Sequence, residues 1–164
     1  MITVTTSLEI AAPPEAVWAV LTDFDAYPAW NPFWVRVTGE VSVGARLHVG
    51  VRPPLGLPLR FTPRIVRCDP PRELQLRGQL GWRWLAHGEH RFEIVPHGRG
   101  VRFVHSEEFG GVLPRLLHRI LVAQARRGFD AMNRALATRA ALSAVAQDPR
   151  RAGEATCPEH ASSS

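Results

Sequence analysis

The sequence predicts an α+β domain in which a curved antiparallel sheet of about seven strands wraps around one long C-terminal helix. Three observations carry this reading. Apolar and polar residues alternate along 1–11 and again through most of 34–109, two short helical segments lie between these stretches, and a helical pattern runs from Pro114 to about Gln147. At 164 residues, 45% hydrophobic and 21% charged, the chain has the length of one domain and enough apolar side chain for a single core.

The first strand places Ile2, Val4, Leu8 and Ile10 on one side, with Thr6 as the one polar residue among them. Pro13-Pro14-Glu15 then starts a helix: proline suits the first turn, a carboxylate suits the positive end of the dipole, and Val17, Val20, Leu21 and Phe24 follow at helical spacing. Residues 25–32 read as a second, very short helix stopped by Pro32. Six further strands fit between turn signals at Gly44, Pro53-Pro54, Asp69-Pro70-Pro71, Gly81 and Pro96-His97-Gly98. Their covered face takes Val35/Val37, Leu47/Val49/Val51, Phe61/Ile65, Leu74/Leu76, Phe92/Ile94 and Val101/Phe103, while arginines and glutamates fill the other face.

The long helix is the natural cover for that sheet. Leu113, Leu117, Ile120, Leu121, Ala131, Met132, Ala135 and Leu142 cluster around one direction, with Arg115, Arg119 and Arg126 opposite. Asp148-Pro149 ends the pattern. The expected organisation is therefore one domain over 1–147 and a disordered tail over 148–164, which has no apolar periodicity.

Several function classes lose support. The longest uncharged stretch, 26–35, is ten residues with two prolines, well short of a membrane span. The start Met1-Ile-Thr-Val-Thr lacks a basic segment followed by an apolar one, so the expected location is the cytoplasm. Cys68 and Cys157 are isolated, which argues against a disulfide framework or a zinc ribbon. All 20 basic residues are arginine and the net charge is +5, but those on the sheet alternate with glutamates and lack a row of stacking aromatics, so no nucleic-acid partner is expected. His87 and His90 point to opposite faces of a strand and do not make a metal pair; neither a phosphate-binding loop nor a Gly-x-Ser-x-Gly elbow occurs, and no motif calls for a cofactor.

Polar residues converge on the covered face. Ala86, Gly88, His90 and Phe92 point inward from one strand, Phe103, His105, Glu107 and Phe109 from the next, and Gln124 and Gly128 lie on the helix stripe. An unpaired buried histidine, glutamine or carboxylate costs a few kcal/mol, so these groups need each other, water or a ligand. Gly128 in mid-helix costs about 1 kcal/mol against alanine and asks for a packing or ligand-space reason. Two accounts fit: a pocket with polar groups in apolar walls, or a buried His–Glu network that only fixes strand register.

The string Ala12-Pro-Pro-Glu-Ala-Val-Trp-Ala-Val-Leu-Thr-Asp-Phe-Asp-Ala-Tyr-Pro-Ala-Trp-Asn-Pro-Phe, then Gly88-Glu-His-Arg-Phe and Val104-His-Ser-Glu-Glu-Phe-Gly-Gly, resembles the START-like (SRPBCC) superfamily, in its polyketide cyclase/dehydrase and lipid-transport branch, over about residues 2–142. The resemblance implies a helix-grip fold with a deep hydrophobic cavity between sheet and long helix. It maps the cavity mouth onto Tyr27, Trp30, Asn31 and Phe33 and onto 109–113, and Trp30 fits equally a mouth residue or a plug between helix and sheet. It carries over no catalytic set.

The leading expectation is a module that binds a small hydrophobic or amphipathic molecule. Leu76, Phe92, Phe103, Leu121 and Met132 would form the walls, His90, His105, Glu107 and Gln124 would fix orientation, and Trp30 would stand at the mouth. The alternative is a cyclase/dehydratase-type enzyme using a His/Glu pair as acid and base. A filled core without a cavity is the third account. An exposed strand edge, the first strand among them, leaves room for a homodimer.

Overall fold

A computed structural model describes residues 1–146; the proposed tail, 148–164, and the last expected helical residue, Gln147, lie outside the described residues. The first strand, β1 (Ile2–Ile10), leads into α1 (Pro14–Thr22), a single 3-10 turn (Phe24–Ala26) and α2 (Tyr27–Trp30). Seven strands follow: β2 (Trp34–Thr38), β3 (His48–Val51), β4 (Leu59–Phe61), β5 (Arg64–Asp69), β6 (Glu73–Leu80), β7 (Ala86–His97) and β8 (Gly100–Gly110). The chain closes on α3 (Val112–Leu116) and α4 (His118–Ala146). This is the α+β architecture expected.

The strands divide into a five-stranded antiparallel sheet, ordered β1-β8-β7-β6-β5, and a three-stranded sheet, β2-β3-β4. The count exceeds the expected seven because Phe61 and Ile65, expected on one strand, belong to two. Pro63 has no N–H to give to a ladder, and the chain changes sheets there. The second sheet is tied to the edge of the first by Leu47 N donating to Pro63 O at 2.9 Å and Gly44 N to Ile65 O at 2.8 Å. β1 is an edge of the main sheet.

A second departure sits in β2. Its register shifts between Trp34 and Arg36, so Trp34 and Val37 are both buried while Val35 is only partly so. The bulge breaks the strict alternation that paired Val35 with Val37. It turns the largest fully buried side chain of the protein inward.

The C-terminal helix also differs from expectation. The chain bends at Leu117 (φ −100°, ψ 18°), which separates the short α3 from α4. On α4 the buried residues are Ala125, Gly128, Phe129, Met132, Asn133, Leu136 and Ala140, whereas Leu117, Ile120 and Leu142 are exposed. Counting large apolar side chains mis-centred the stripe, since much of the true packing face is alanine, glycine and asparagine. Gly128 has a packing reason: a Cβ there would collide with the Phe33 ring, which also meets Phe129 edge-on at 5.9 Å.

Candidate functional site

Between the concave sheet, the β3–β4 loop and the start of α4 lies a cavity of about 540 Å³. That size suits a small organic molecule. Its walls are mainly apolar: Phe33 and Trp34 at the head of β2, Leu76 on β6, Phe109 on β8, and Leu113 and Leu121 from the helical segments. Leu55 and Leu57 on the β3–β4 loop and Leu59 at the start of β4 close one side. The cavity's polar lining residues include His90 and Glu107, directly opposite each other on β7 and β8, and Gln124 on α4, with Arg60, Gln79 and His87 also on the lining.

Of the residues singled out from the sequence, the structure brings Leu76, His90, Glu107, Leu121 and Gln124 together on this cavity. Phe92, Phe103, His105 and Met132 are off its wall, fully buried in the layer behind. Trp30 is off it as well: its ring packs edge-on against Tyr27 at 4.9 Å, on the core side of α2, and its Nε1 is buried without a partner among the described residues. Tyr27 is also core, donating its hydroxyl to Leu21 O at 2.7 Å, with burial pushing its pKa up. Asn31 turns inward to accept from the backbone N–H groups of Phe33 and Trp34 at 3.0 and 2.9 Å. Of the four mouth positions implied near α2, Phe33 alone lines the cavity.

The opening is lined by the β3–β4 loop and, within the implied 109–113 segment, by Phe109 and Leu113, with Pro114, Leu117 and Ile120 beyond them. The loop and the first residue of β4 carry Pro53-Pro54-Leu55-Gly56-Leu57-Pro58-Leu59, an uncharged run longer than a tight turn needs. Gln124 holds it, accepting from Leu55 N at 2.8 Å. Gly111 (φ 108°) makes the opposite junction. A side chain there would strike the Leu85 carbonyl, and its absence lets Val112 N and Leu113 N donate to Trp84 O and Leu85 O at 3.1 and 3.0 Å.

Behind the cavity wall runs a buried polar chain. Asn133 Nδ2 donates to Thr6 Oγ1 at 2.9 Å, which turns Asn133 Oδ1 toward His105. His105 Nδ1–H therefore donates to Asn133 Oδ1 at 2.8 Å. Burial first, and the neighbouring His90 second, hold the His105 pKa well below the ordinary histidine range, so its Nε2 presents a lone pair. His90 Nε2–H donates to that lone pair at 2.5 Å. The remaining His90 nitrogen, Nδ1, faces Glu107 Oε2 at 3.1 Å.

That order of donors has a chemical consequence. His90 Nδ1 and Glu107 Oε2 are close enough for a proton to pass between them, so the two side chains can act together on a polar group beside them. The pair sits at the cavity wall, His90 buried and Glu107 half-buried. Gly88 makes room for it, since a Cβ there would lie 2.9 Å from Glu107 Oε1. Trp34, Phe92 and Phe129 pack around the imidazoles, with the His105 ring stacked on Phe129 at 3.9 Å and 18°. Asn133 was not singled out from sequence; the signal available was an amide one helical turn from Phe129, inside the run 128–136, with Thr6 as a polar entry on the inward side of β1. Among the described residues, no group of three His, Cys, Asp or Glu is placed to hold a metal ion, and no helix is long and apolar enough to cross a membrane.

The sequence matches the polyketide cyclase/dehydrase and lipid transport family over residues 1–141. The chain belongs to that family. Among curated proteins, none matches it. Three similar solved structures are an aromatase/cyclase, Zhui, from Streptomyces sp. R1128 (21% identity, TM-score 0.71, 85% of this chain and 93% of that one), a START superfamily protein from Mycobacterium smegmatis (22%, 0.69, 86% and 98%) and the protein TTHA0849 from Thermus thermophilus (16%, 0.72, 87% and 99%). At these identities the likeness establishes the fold, and it confirms the helix-grip, START-like architecture expected from the sequence.

Proposed function

We propose that this family member takes up one small, mostly apolar molecule in the cavity, with a polar group of that molecule directed at the His90–Glu107 pair. The observation that carries the reading is a cavity of about 540 Å³ whose walls are largely leucine and aromatic and whose lining includes His90 and Glu107 in contact at 3.1 Å. Apolar walls supply affinity through the area they dry, and the pair accepts or donates a hydrogen bond that fixes orientation. The test is a titration with 1-anilinonaphthalene followed by fluorescence. Saturable uptake by the native protein, lost when Leu121→Trp fills the cavity of a still-folded chain, supports the reading; equal uptake by both proteins sinks it.

Acid–base catalysis on the bound molecule is a second reading, and the fixed order of donors from Thr6 to Glu107 favours it. A carboxyl and an imidazole sharing one proton can deliver it to a carbonyl oxygen and recover one from carbon, as cyclisation or dehydration of a polyketide-like chain requires. The expected signature is a bell-shaped pH–rate profile with an enolisable polycarbonyl compound that Glu107→Gln abolishes while probe binding persists. Retention of both in Glu107→Gln would leave the pair with an orienting role. Pairing of two copies through the β1 edge belongs with these proposals, and sedimentation equilibrium tests it.

A further inference from the structure

The open end of the cavity carries a rim of exposed apolar side chains. Leu55 and Leu57 on the β3–β4 loop, Trp82 and Trp84 on the β6–β7 loop, Leu116 on α3 and Ile120 on α4 are between 63% and 82% exposed. Leu55, Leu57 and Ile120 border the cavity itself, and Trp84 borders a neighbouring recess of about 320 Å³ that shares His87 and Phe109 with it. The Trp82 and Trp84 rings stack at 6.2 Å, and the backbone of α3 is hydrogen-bonded to their loop. Three segments distant in sequence thus bring large apolar groups to the cavity opening and the recess beside it, where a monomer ordinarily shows charge.

The charge on the segments that carry this rim has one sign. Segments 51–64, 78–88 and 110–128 contain no Asp or Glu, and they carry the exposed arginines Arg52, Arg60, Arg83, Arg115 and Arg119. None of these five is in an ion pair among the described residues. The outer face of the sheet is the opposite case: there Glu73 pairs with Arg67 and Arg91, and Glu89 with Arg77.

We propose that the rim docks the protein onto an anionic bilayer, with the tryptophans and leucines in the interfacial region and the arginines against headgroup phosphates. Tryptophan and exposed leucine beside unpaired arginine is the combination that such an interface holds, through apolar burial and attraction to the negative surface together. A second copy of the chain is a poor occupant, because a two-fold contact through this rim sets arginine against arginine, with no carboxylate on these three segments to pair them. The apolar groups also stand on three separate segments, a relief that a deformable interface accommodates. Docked this way, the cavity opens toward lipid; that link rests on the ligand-binding reading, whereas the docking does not.

The test is flotation of the full chain with vesicles of phosphatidylcholine alone and of phosphatidylcholine mixed with phosphatidylglycerol, at low and high salt. The expected result is binding to the mixed vesicles that weakens with salt, with a blue shift of tryptophan emission. Arg115→Glu/Arg119→Glu should weaken it by roughly thirtyfold or more, and Trp82→Ala/Trp84→Ala should remove the shift. Arg99→Glu, beyond the far end of β7, should change neither. Circular dichroism confirms that each variant is folded. Absence of binding to mixed vesicles, or binding indifferent to the arginine reversals, overturns the proposal. So does a concentration-dependent dimer that Leu116→Ser dissolves in a protein that ignores vesicles, or a rim occupied by an acidic protein in place of lipid.

Discussion

His105 on β8 and Asn133 on α4 are joined Nδ1 to Oδ1 at 2.8 Å, both buried, at the contact between the sheet and the helix it wraps. This bond sets the tautomer of His105 and, through it, the donor order that reaches Glu107. It also pins the helix to the sheet at a polar point, where a misplaced register would leave several groups unpaired. The cavity wall and the packing of the fold therefore depend on the same residue.

Asn133→Ala should destabilise the protein by about 2–4 kcal/mol, because it leaves His105 Nδ1–H without its acceptor and opens a small void. Thr6→Val should cost less, about 1–2 kcal/mol, since it removes one acceptor and keeps the His105 bond. Urea unfolding of both variants checks the order.

Stability should fall in acid for a reason that His105 supplies. Its pKa is held well below the ordinary histidine range in the fold, by burial and then by His90, while the unfolded chain protonates it near 6.5. Below that value the unfolded state binds the extra proton, so this contribution is complete above about pH 6.5 and is lost by up to about 1.4 kcal/mol per pH unit beneath it. His105→Gln should flatten that part of the profile. Chemical denaturation between pH 5 and 8 reads it, and an unchanged slope would contradict the assignment.

Gly128→Ala ordinarily gains about 1 kcal/mol of helix propensity. Here the new Cβ meets the Phe33 ring, and overpacking of about 1–3 kcal/mol should reverse the sign. The double variant Gly128→Ala/Phe33→Leu should recover stability, as measured by thermal unfolding.

Gly88→Ala should act on the acid–base pair more than on the fold. Its Cβ would stand 2.9 Å from Glu107 Oε1 and displace the carboxylate from His90. Histidine ¹⁵N shifts report this directly: His90 should change and His105, held by Asn133, should change little.

The alternation of residues was enough to sort the faces of β1 and β6–β8, because in a one-side-wet sheet every second residue must be apolar whatever its neighbours do. Thus Leu74, Leu76, Phe92, Ile94, Val101 and Phe103 are all buried as expected. Trp34 escaped that logic because a bulge resets the phase, and the β4–β5 boundary escaped it because Pro63 breaks a ladder without breaking the apolar pattern. The site was half legible. His90 and Glu107 follow from strand phase, but Asn133 is recognisable only from the three-dimensional partner it satisfies, and the β3–β4 loop borders the cavity through tertiary folding that no local period encodes. The helix stripe misled for a related reason: large residues at the start of α4 overhang the cavity opening, and the small ones do the packing.

Native mass spectrometry of the purified protein, followed by organic extraction, tests the central claim most directly. The account predicts a chain carrying a discrete non-covalent mass, or taking up 1-anilinonaphthalene with one-to-one stoichiometry, and predicts that Leu121→Trp does neither. A native protein that travels bare and shows no saturable uptake would contradict it, and would make the His90–Glu107 pair a feature of folding alone.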